Sequence, residues 1–255
     1  MTGTDIAYPL LLGVLGLVFG SFIATVIVRW PQGRSIAQGR SHCDACDRVL
    51  HADELVPVAS YLRARGRCRT CGARIALVHL IVELAGLAIG VAAGALAPGA
   101  TGIAGAVFGW QLLALAGLDL TAFWLPNRLT AALAITGVAA VVAGAAVPPG
   151  DAVLGGLIGF GSLWAVAAGY RRVRGRVGLG GGDPKLFGAI GIWLGWRTLP
   201  GVLLAACLLG LGVVLILRLC GRRMAAADRL PLGTLLALAA FGSWMAGLAS
   251  IPIAR

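Results

Sequence analysis

Residues 77–97 read LVHLIVELAGLAIGVAAGALA. The run holds one carboxylate, Glu83, and one imidazole, His79, and no proline interrupts it. A helix of this length rises about 30 Å, the thickness of the hydrocarbon core of a bilayer. Gly86, Gly90 and Gly94 recur at every fourth position, which leaves one side of that helix smooth enough for a second helix to lie against it. The segment is suited to lipid on most sides and to another helix on one.

Comparable apolar runs flank it on both sides, at about 8–28, 101–118, 128–147, 152–169, 185–199, 200–218 and 231–251, the run 185–199 being short. Of the 255 residues 59% are hydrophobic and 12% charged, and the mean hydropathy is +0.91. A soluble domain carries roughly a quarter charged residues. The expected fold is therefore an all-α integral membrane protein with about eight transmembrane helices. The first run has no basic segment before it and no small-residue cleavage site after it, so it reads as a span within 1–28 and not as a removable leader.

The net charge of +11 is distributed unevenly. If eight spans alternate, the loops 29–76, 119–127, 170–184 and 219–230 share one face, and with the span edges they hold all of the 21 basic residues except Arg197 and Arg255. Short loops rich in lysine and arginine stay in the cytoplasm. That face is expected to be cytoplasmic, with both termini outside. Topology and membrane lipid headgroups account for the basic balance, and no aromatic-interleaved basic stripe points to nucleic acid.

The longest polar insertion, 29–76, contains Cys43, Cys46, Cys68 and Cys71 as C-x2-C-x21-C-x2-C. Two such pairs about twenty residues apart supply four thiolates for a tetrahedral structural zinc. A segment of this size has too small a core to fold unaided, and metal binding supplies the missing free energy. Disulfides would be the alternative, disfavoured in a reducing compartment. Cys207 and Cys220 have no partner at metal spacing and read as packing residues.

Outside that insertion carboxylates are few. Asp5, Asp151 and Asp228 sit in polar stretches at span ends, and Glu83 lies within a span. Asp119 closes the apolar run in WQLLALAGLDLTAFWLPNRLT, and Asp183 opens the third run after it, in GLGGGDPKLFGAIGIWLG. On the expected topology both lie at the same face and depth. An ionised aspartate in a bilayer costs about 2.5–3.5 kcal/mol on insertion scales, which makes it a candidate functional group with a partner. Two carboxyls sharing one proton can serve as base and acid in peptide hydrolysis. Gly180 and Gly182 would let a substrate backbone approach, while Lys185 would snorkel or balance the pair's charge. The competing reading is that Asp183 only caps a helix, with Pro184 at its first position.

Together these two stretches resemble the paired aspartate motifs of the type IV prepilin peptidase family, bacterial membrane aspartic proteases of the G-x-G-D type. The resemblance implies that Asp119 and Asp183 are catalytic, supported by Gly180, Gly182 and Lys185. Asn127 stands where the family has an acidic residue after the Leu125-Pro126 turn. GSFIATVIVRWP, RSHCDACDRVL and DELVPVASYLRARGRCRTCGARI extend the likeness to the long, bifunctional members, which also N-methylate the new terminus with S-adenosylmethionine. Ala24 replaces the family's usual asparagine, Asp44 its proline, and Ala76 to Leu80 its Ser-x-Arg-Tyr-Pro run, whereas Glu83 is kept.

The expected organisation is a first transmembrane helix at 1–28, a cytoplasmic zinc module at 29–76 and a multi-span peptidase domain at 77–255. The expected activity is removal of the basic leader from type IV prepilins or pseudopilins at the cytoplasmic face of the bacterial inner membrane, with or without methylation. The alternatives are a proton-coupled transporter that uses the aspartates as a relay, and a membrane anchor whose zinc module binds a partner.

Overall fold

The computed structural model describes residues 3–35, 40–176, 178–221 and 229–249; Asp228, Arg222, Arg223 and Arg255 lie outside them. Nine α-helices are present among the described residues, and there is no strand beyond two isolated bridges, so the all-α expectation holds. They are α1 (Gly3–Arg29), α2 (Ala59–Arg63), α3 (Leu77–Leu96), α4 (Ala100–Ala122), α5 (Asn127–Val142), α6 (Pro149–Arg174), α7 (Asp183–Leu194), α8 (Leu199–Leu219) and α9 (Leu232–Ala249). Each of the eight apolar runs has folded as one helix, and α2 is an extra single turn inside the polar insertion.

Five of them, α1, α3, α4, α6 and α8, are long and apolar enough to cross a bilayer, and α5 and α9 are shorter apolar helices. The chain is an integral membrane protein on that ground. The remaining run, expected at 185–199, is cut short at Leu194, because Gly195 takes φ +75° and ends the helix. Its 12 residues rise only about 18 Å. This short helix is instead wrapped by protein: Leu186, Phe187, Ile190 and Trp193 are all buried.

The chain divides into two compact units, Met1–Pro98 and Gly99–Arg255. In the first, α1 lies along α3 through the glycine stripe. A Cβ on Gly86 would strike the carbonyl of Gly16, one on Gly90 would strike that of Leu12, and one on Gly20 would sit 2.8 Å from Cα of Glu83. The backbones touch because no side chain stands between them.

In the second unit α7 packs against α5, α6 and α9. Gly155 of α6 and Gly191 of α7 meet backbone to backbone. Trp193 stacks on Phe108 of α4 with ring centroids 4.8 Å apart and donates its Nε1–H to the Leu133 carbonyl at 2.8 Å. That bond satisfies a buried donor which would otherwise be costly in an apolar interior. The core of this unit thus fixes α7 in rotation and depth, and with it the aspartate at its first position.

Candidate active site and metal centre

The second unit brings Asp119 and Asp183 to one end of its helices. Asp119 lies in the last turn of α4, which closes when Phe123 adopts the left-handed conformation at φ +49° and its N–H returns to the Asp119 carbonyl at 2.9 Å. Leu125 and Pro126 then form the turn into α5. Asp183 starts α7 behind the glycine run, with Pro184 at the position where a missing N–H costs nothing. Both aspartates are buried, at 6% and 7% exposure, and the two carboxyl groups interact electrostatically.

Glycines make room for this convergence. A Cβ on Gly182 would stand 2.7 Å from Cβ of Leu125, and one on Gly180 would stand 2.9 Å from Oδ2 of Asp183. Leu125 also touches Gly233 at the start of α9, whose Cβ would lie 3.0 Å from Oδ2 of Asp119. One leucine is therefore packed by both glycines that flank the aspartates. Lys185 reaches back to Asn127, donating to its Oδ1 at 2.7 Å, so the lysine ties α7 to α5 on the rim.

A contribution that the sequence reading missed comes from α9. Thr234 donates its backbone N–H to Oδ2 of Asp119 at 2.8 Å and its hydroxyl to the same oxygen at 3.3 Å, while Gly233 adds a further backbone donor. The hydroxyl is also 2.9 Å from the Ala116 carbonyl. A helix N-terminus presents unpaired N–H groups that favour an anion. The only local signal was the Leu-Pro-Leu-Gly-Thr stretch that opens α9, a proline-led helix start, and nothing in it points 115 residues back to Asp119.

In the first unit the four cysteines come together as the spacing implied. Their Sγ atoms all lie within 4.8 Å of one another, and Cys43 and Cys71 are 3.9 Å apart. Four sulfurs about a tetrahedral Zn²⁺ with bonds near 2.3 Å sit about 3.8 Å from each other, so the donor set fits such an ion. The pairs belong to two matching turns. Cys43 N–H bonds to the Arg48 carbonyl and Cys68 N–H to that of Ala73, while bridges His42–Val49 and Arg67–Arg74 close each turn. Asp47 and Gly72 occupy the same left-handed position in the two turns. The backbone N–H groups of Cys71 and Thr70 point at Cys68 and hold its thiol down at about 6, which favours the thiolate a metal needs.

The same turns carry an ion-pair network. Arg48 grips Glu54 through two hydrogen bonds of 3.0 and 2.8 Å, which hold that carboxyl down at about 2 with help from the His51 N–H. Arg63 and Arg69 each reach Asp53 at 2.9 Å. Glu83, the one carboxylate of α3, accepts the backbone N–H of Val58 at 2.7 Å. Val58 sits at φ +62°, ψ −53°, and the Ala59 N–H closes back on the Pro57 carbonyl at 2.6 Å, forming a γ-turn. A β-branched residue in that conformation costs on the order of 1–3 kcal/mol, which the surroundings must offset.

Comparison with known proteins gives two family matches. Residues 14–96 match the Bacterial Peptidase A24 N-terminal domain, and residues 106–215 match the Type IV leader peptidase family. A prepilin leader peptidase/N-methyltransferase of Burkholderia pseudomallei (strain K96243) is 37% identical over 264 residues, covering 92% of this chain and 84% of the relative. The protein of the same name from Aeromonas hydrophila is 39% identical over 219 residues, covering 85% and 73%, and that of Neisseria gonorrhoeae is 31% identical over 253 residues, covering 84% of each. No solved structure matches. With both halves matched and relatives similar over most of their own length, the chain belongs to the type IV leader peptidase family.

Proposed function

We propose that the chain is a membrane aspartic endopeptidase that removes the basic leader from type IV prepilins or pseudopilins. The observation that carries this reading is the burial of Asp119 and Asp183 at one end of the second unit, with glycines against both carboxyls. In this mechanism Asp119, steadied on Oδ2 by Thr234, acts as the base: its other oxygen takes a proton from a water, and that water attacks the scissile carbonyl. Asp183 carries the proton shared by the pair and gives it as a hydrogen bond to the developing oxyanion. Gly180 and Gly182 support the dyad by letting the Asp183 carboxyl and Leu125 close in where a side chain would stand, and Lys185, held by Asn127, marks the rim of the site.

The lipid-embedded part is proposed to comprise eight segments in a bacterial inner membrane, with both termini outside and the aspartates at the cytoplasmic face. The segment 29–76 is proposed as a zinc module held by Cys43, Cys46, Cys68 and Cys71, with the peptidase residues lying downstream of 77. Zinc has a structural role there and takes no part in hydrolysis. The relatives' names add N-methyltransferase activity, and this chain is proposed to methylate the new terminus using S-adenosylmethionine.

The test is co-expression with a prepilin in a host without its own peptidase. Wild type is expected to shorten the prepilin, and Asp119→Asn and Asp183→Asn each to abolish shortening while still inserting in the membrane. Cleavage by either variant would remove the dyad from the mechanism. Product mass reports methylation separately, as a gain of one methyl group.

A further inference from the structure

In the second unit α5 and α6 both pack on α7 but meet each other at only a few points. The recess left between them encloses about 560 Å³, within the roughly 300–1,000 Å³ common for small organic ligands. Ala134 and Val138 form one wall, Gly156 and Phe160 the other, and Gly188 and Ile192 of α7 the floor. The lining is apolar except at one end, where Lys185 enters it. Lys185 is turned by about 200° around α7 from Asp183, so the recess is separate from the paired aspartates. We propose that it holds one anionic phospholipid, with an acyl chain along the floor and the phosphate on the Lys185 ammonium.

The charge at the end of the recess is uncompensated. An ammonium has three N–H donors, and one of them goes to the neutral Oδ1 of Asn127 at 2.7 Å. None of the ion pairs among the described residues includes Lys185. A cation at the edge of an apolar pocket between membrane helices is complementary to an acidic headgroup. Depth agrees with charge. A Cβ on Gly188 would lie 3.0 Å from Cβ of Phe160, and because α6 and α7 run antiparallel, one turn further on brings Trp164 level with Lys185. Trp164 is exposed, and so is Trp124, three residues before Asn127. Exposed tryptophans gather where hydrocarbon gives way to headgroups, which places Lys185 at the level of lipid phosphates.

The short helix explains why such a recess exists. The 12 residues of α7 rise only about 18 Å where the hydrocarbon is about 30 Å thick. The longer α6 runs past its start, and α5 and α6 are left apart above its small residues. An unfilled recess forfeits the dispersion contacts of its walls. An acyl chain supplies them, and the phosphate fixed at Lys185 holds that chain in one register.

The test is native mass spectrometry of the purified full-length protein in detergent, titrated with phosphatidylglycerol, with phosphatidylcholine of the same acyl chains, and with inorganic phosphate alone. Wild type is expected to retain one phosphatidylglycerol at least fivefold more tightly than phosphatidylcholine, and no free phosphate. Lys185→Met should bring the two lipids level, and Lys185→Arg should keep the preference. Val138→Trp and Leu157→Trp, which fill the recess from opposite walls, should each weaken both lipids at least fivefold, whereas Leu204→Trp, exposed on α8 outside it, should bind as wild type does. Equal retention of the two lipids by wild type would overturn the proposal, as would phosphatidylglycerol binding left unchanged by Lys185→Met and both recess-filling variants. If Lys185→Met lowers thermal stability, the two tryptophan variants decide. A photocrosslinker at position 138 that captures a prepilin or a second copy of the chain in membranes, and no lipid, would also overturn it. No cleavage is read in these measurements, so their outcome is independent of the aspartate dyad.

Discussion

Replacing Gly233 with alanine tests the active-site packing more sharply than removing a carboxylate. The added Cβ would stand 3.0 Å from Oδ2 and 3.1 Å from Cγ of Asp119, and 2.9 Å from Cδ1 of Leu125, where ordinary contact begins at 3.4 Å. Asp119 must then retreat by about 0.3–0.4 Å, since α9 is anchored along its length and the carboxyl is the more mobile partner. A misplacement of 1 Å costs about a hundredfold in rate, so a shift of this size is expected to lower kcat/KM roughly four- to sixfold. Stability should not fall, because alanine is the better helix former by about 1 kcal/mol. The assay is leader cleavage in detergent, with thermal unfolding measured on the same samples. Gly242→Ala, on the same helix with nothing within 4 Å of its Cβ, is the control and is expected to cleave at the wild-type rate. Gly233→Ala with unchanged kcat/KM would refute the claim that α9 sets the position of Asp119.

Thr234→Val removes the hydroxyl donor to Asp119 and keeps the backbone N–H; at about 1 kcal/mol for a bond of this type, kcat/KM should fall about fivefold, with Thr234→Ser close to wild type. Chelation, or Cys68→Ser, is expected to release one metal ion per chain and expose 40–75 to protease, while Cys207→Ser and Cys220→Ser change neither metal content nor digestion pattern. Gly191→Leu should break the α6–α7 contact and abolish both folding yield and cleavage, whereas Gly161→Leu, at a position with open space, should be silent. Metal analysis, limited proteolysis and membrane-fraction yield are the respective readouts.

The helices were legible because each apolar run is bounded by its own stop signals: Gly175 after a basic last turn, Pro184 behind a glycine run, Pro126 after Leu125. The metal centre was legible for a different reason, since both cysteine pairs are local turns whose chemistry needs no distant element. Asp119 and Asp183 stood out as charges in apolar surroundings. What could not be read was the environment that long-range packing supplies. Thr234 is an ordinary helix-opening residue until α9 is placed against α4, and Val58 gives no sign of its positive φ in a γ-turn, where its N–H meets Glu83 of α3. The length of α7 was overestimated for the same reason: apolar composition continues to 199, but the chain turns at Gly195.

The glycine seams between α1 and α3 and between α6 and α7 also govern how the fold responds to temperature. Burial of side chains from water carries a large heat-capacity change and weakens on cooling. Separating two backbones in a bilayer exposes them to acyl chains instead, and what is lost is dispersion and Cα–H···O attraction. The contribution of Gly16, Gly86, Gly155 and Gly191 is thus nearly enthalpic with little heat capacity, and these two helix pairs should hold in the cold when the water-facing cysteine module has begun to loosen.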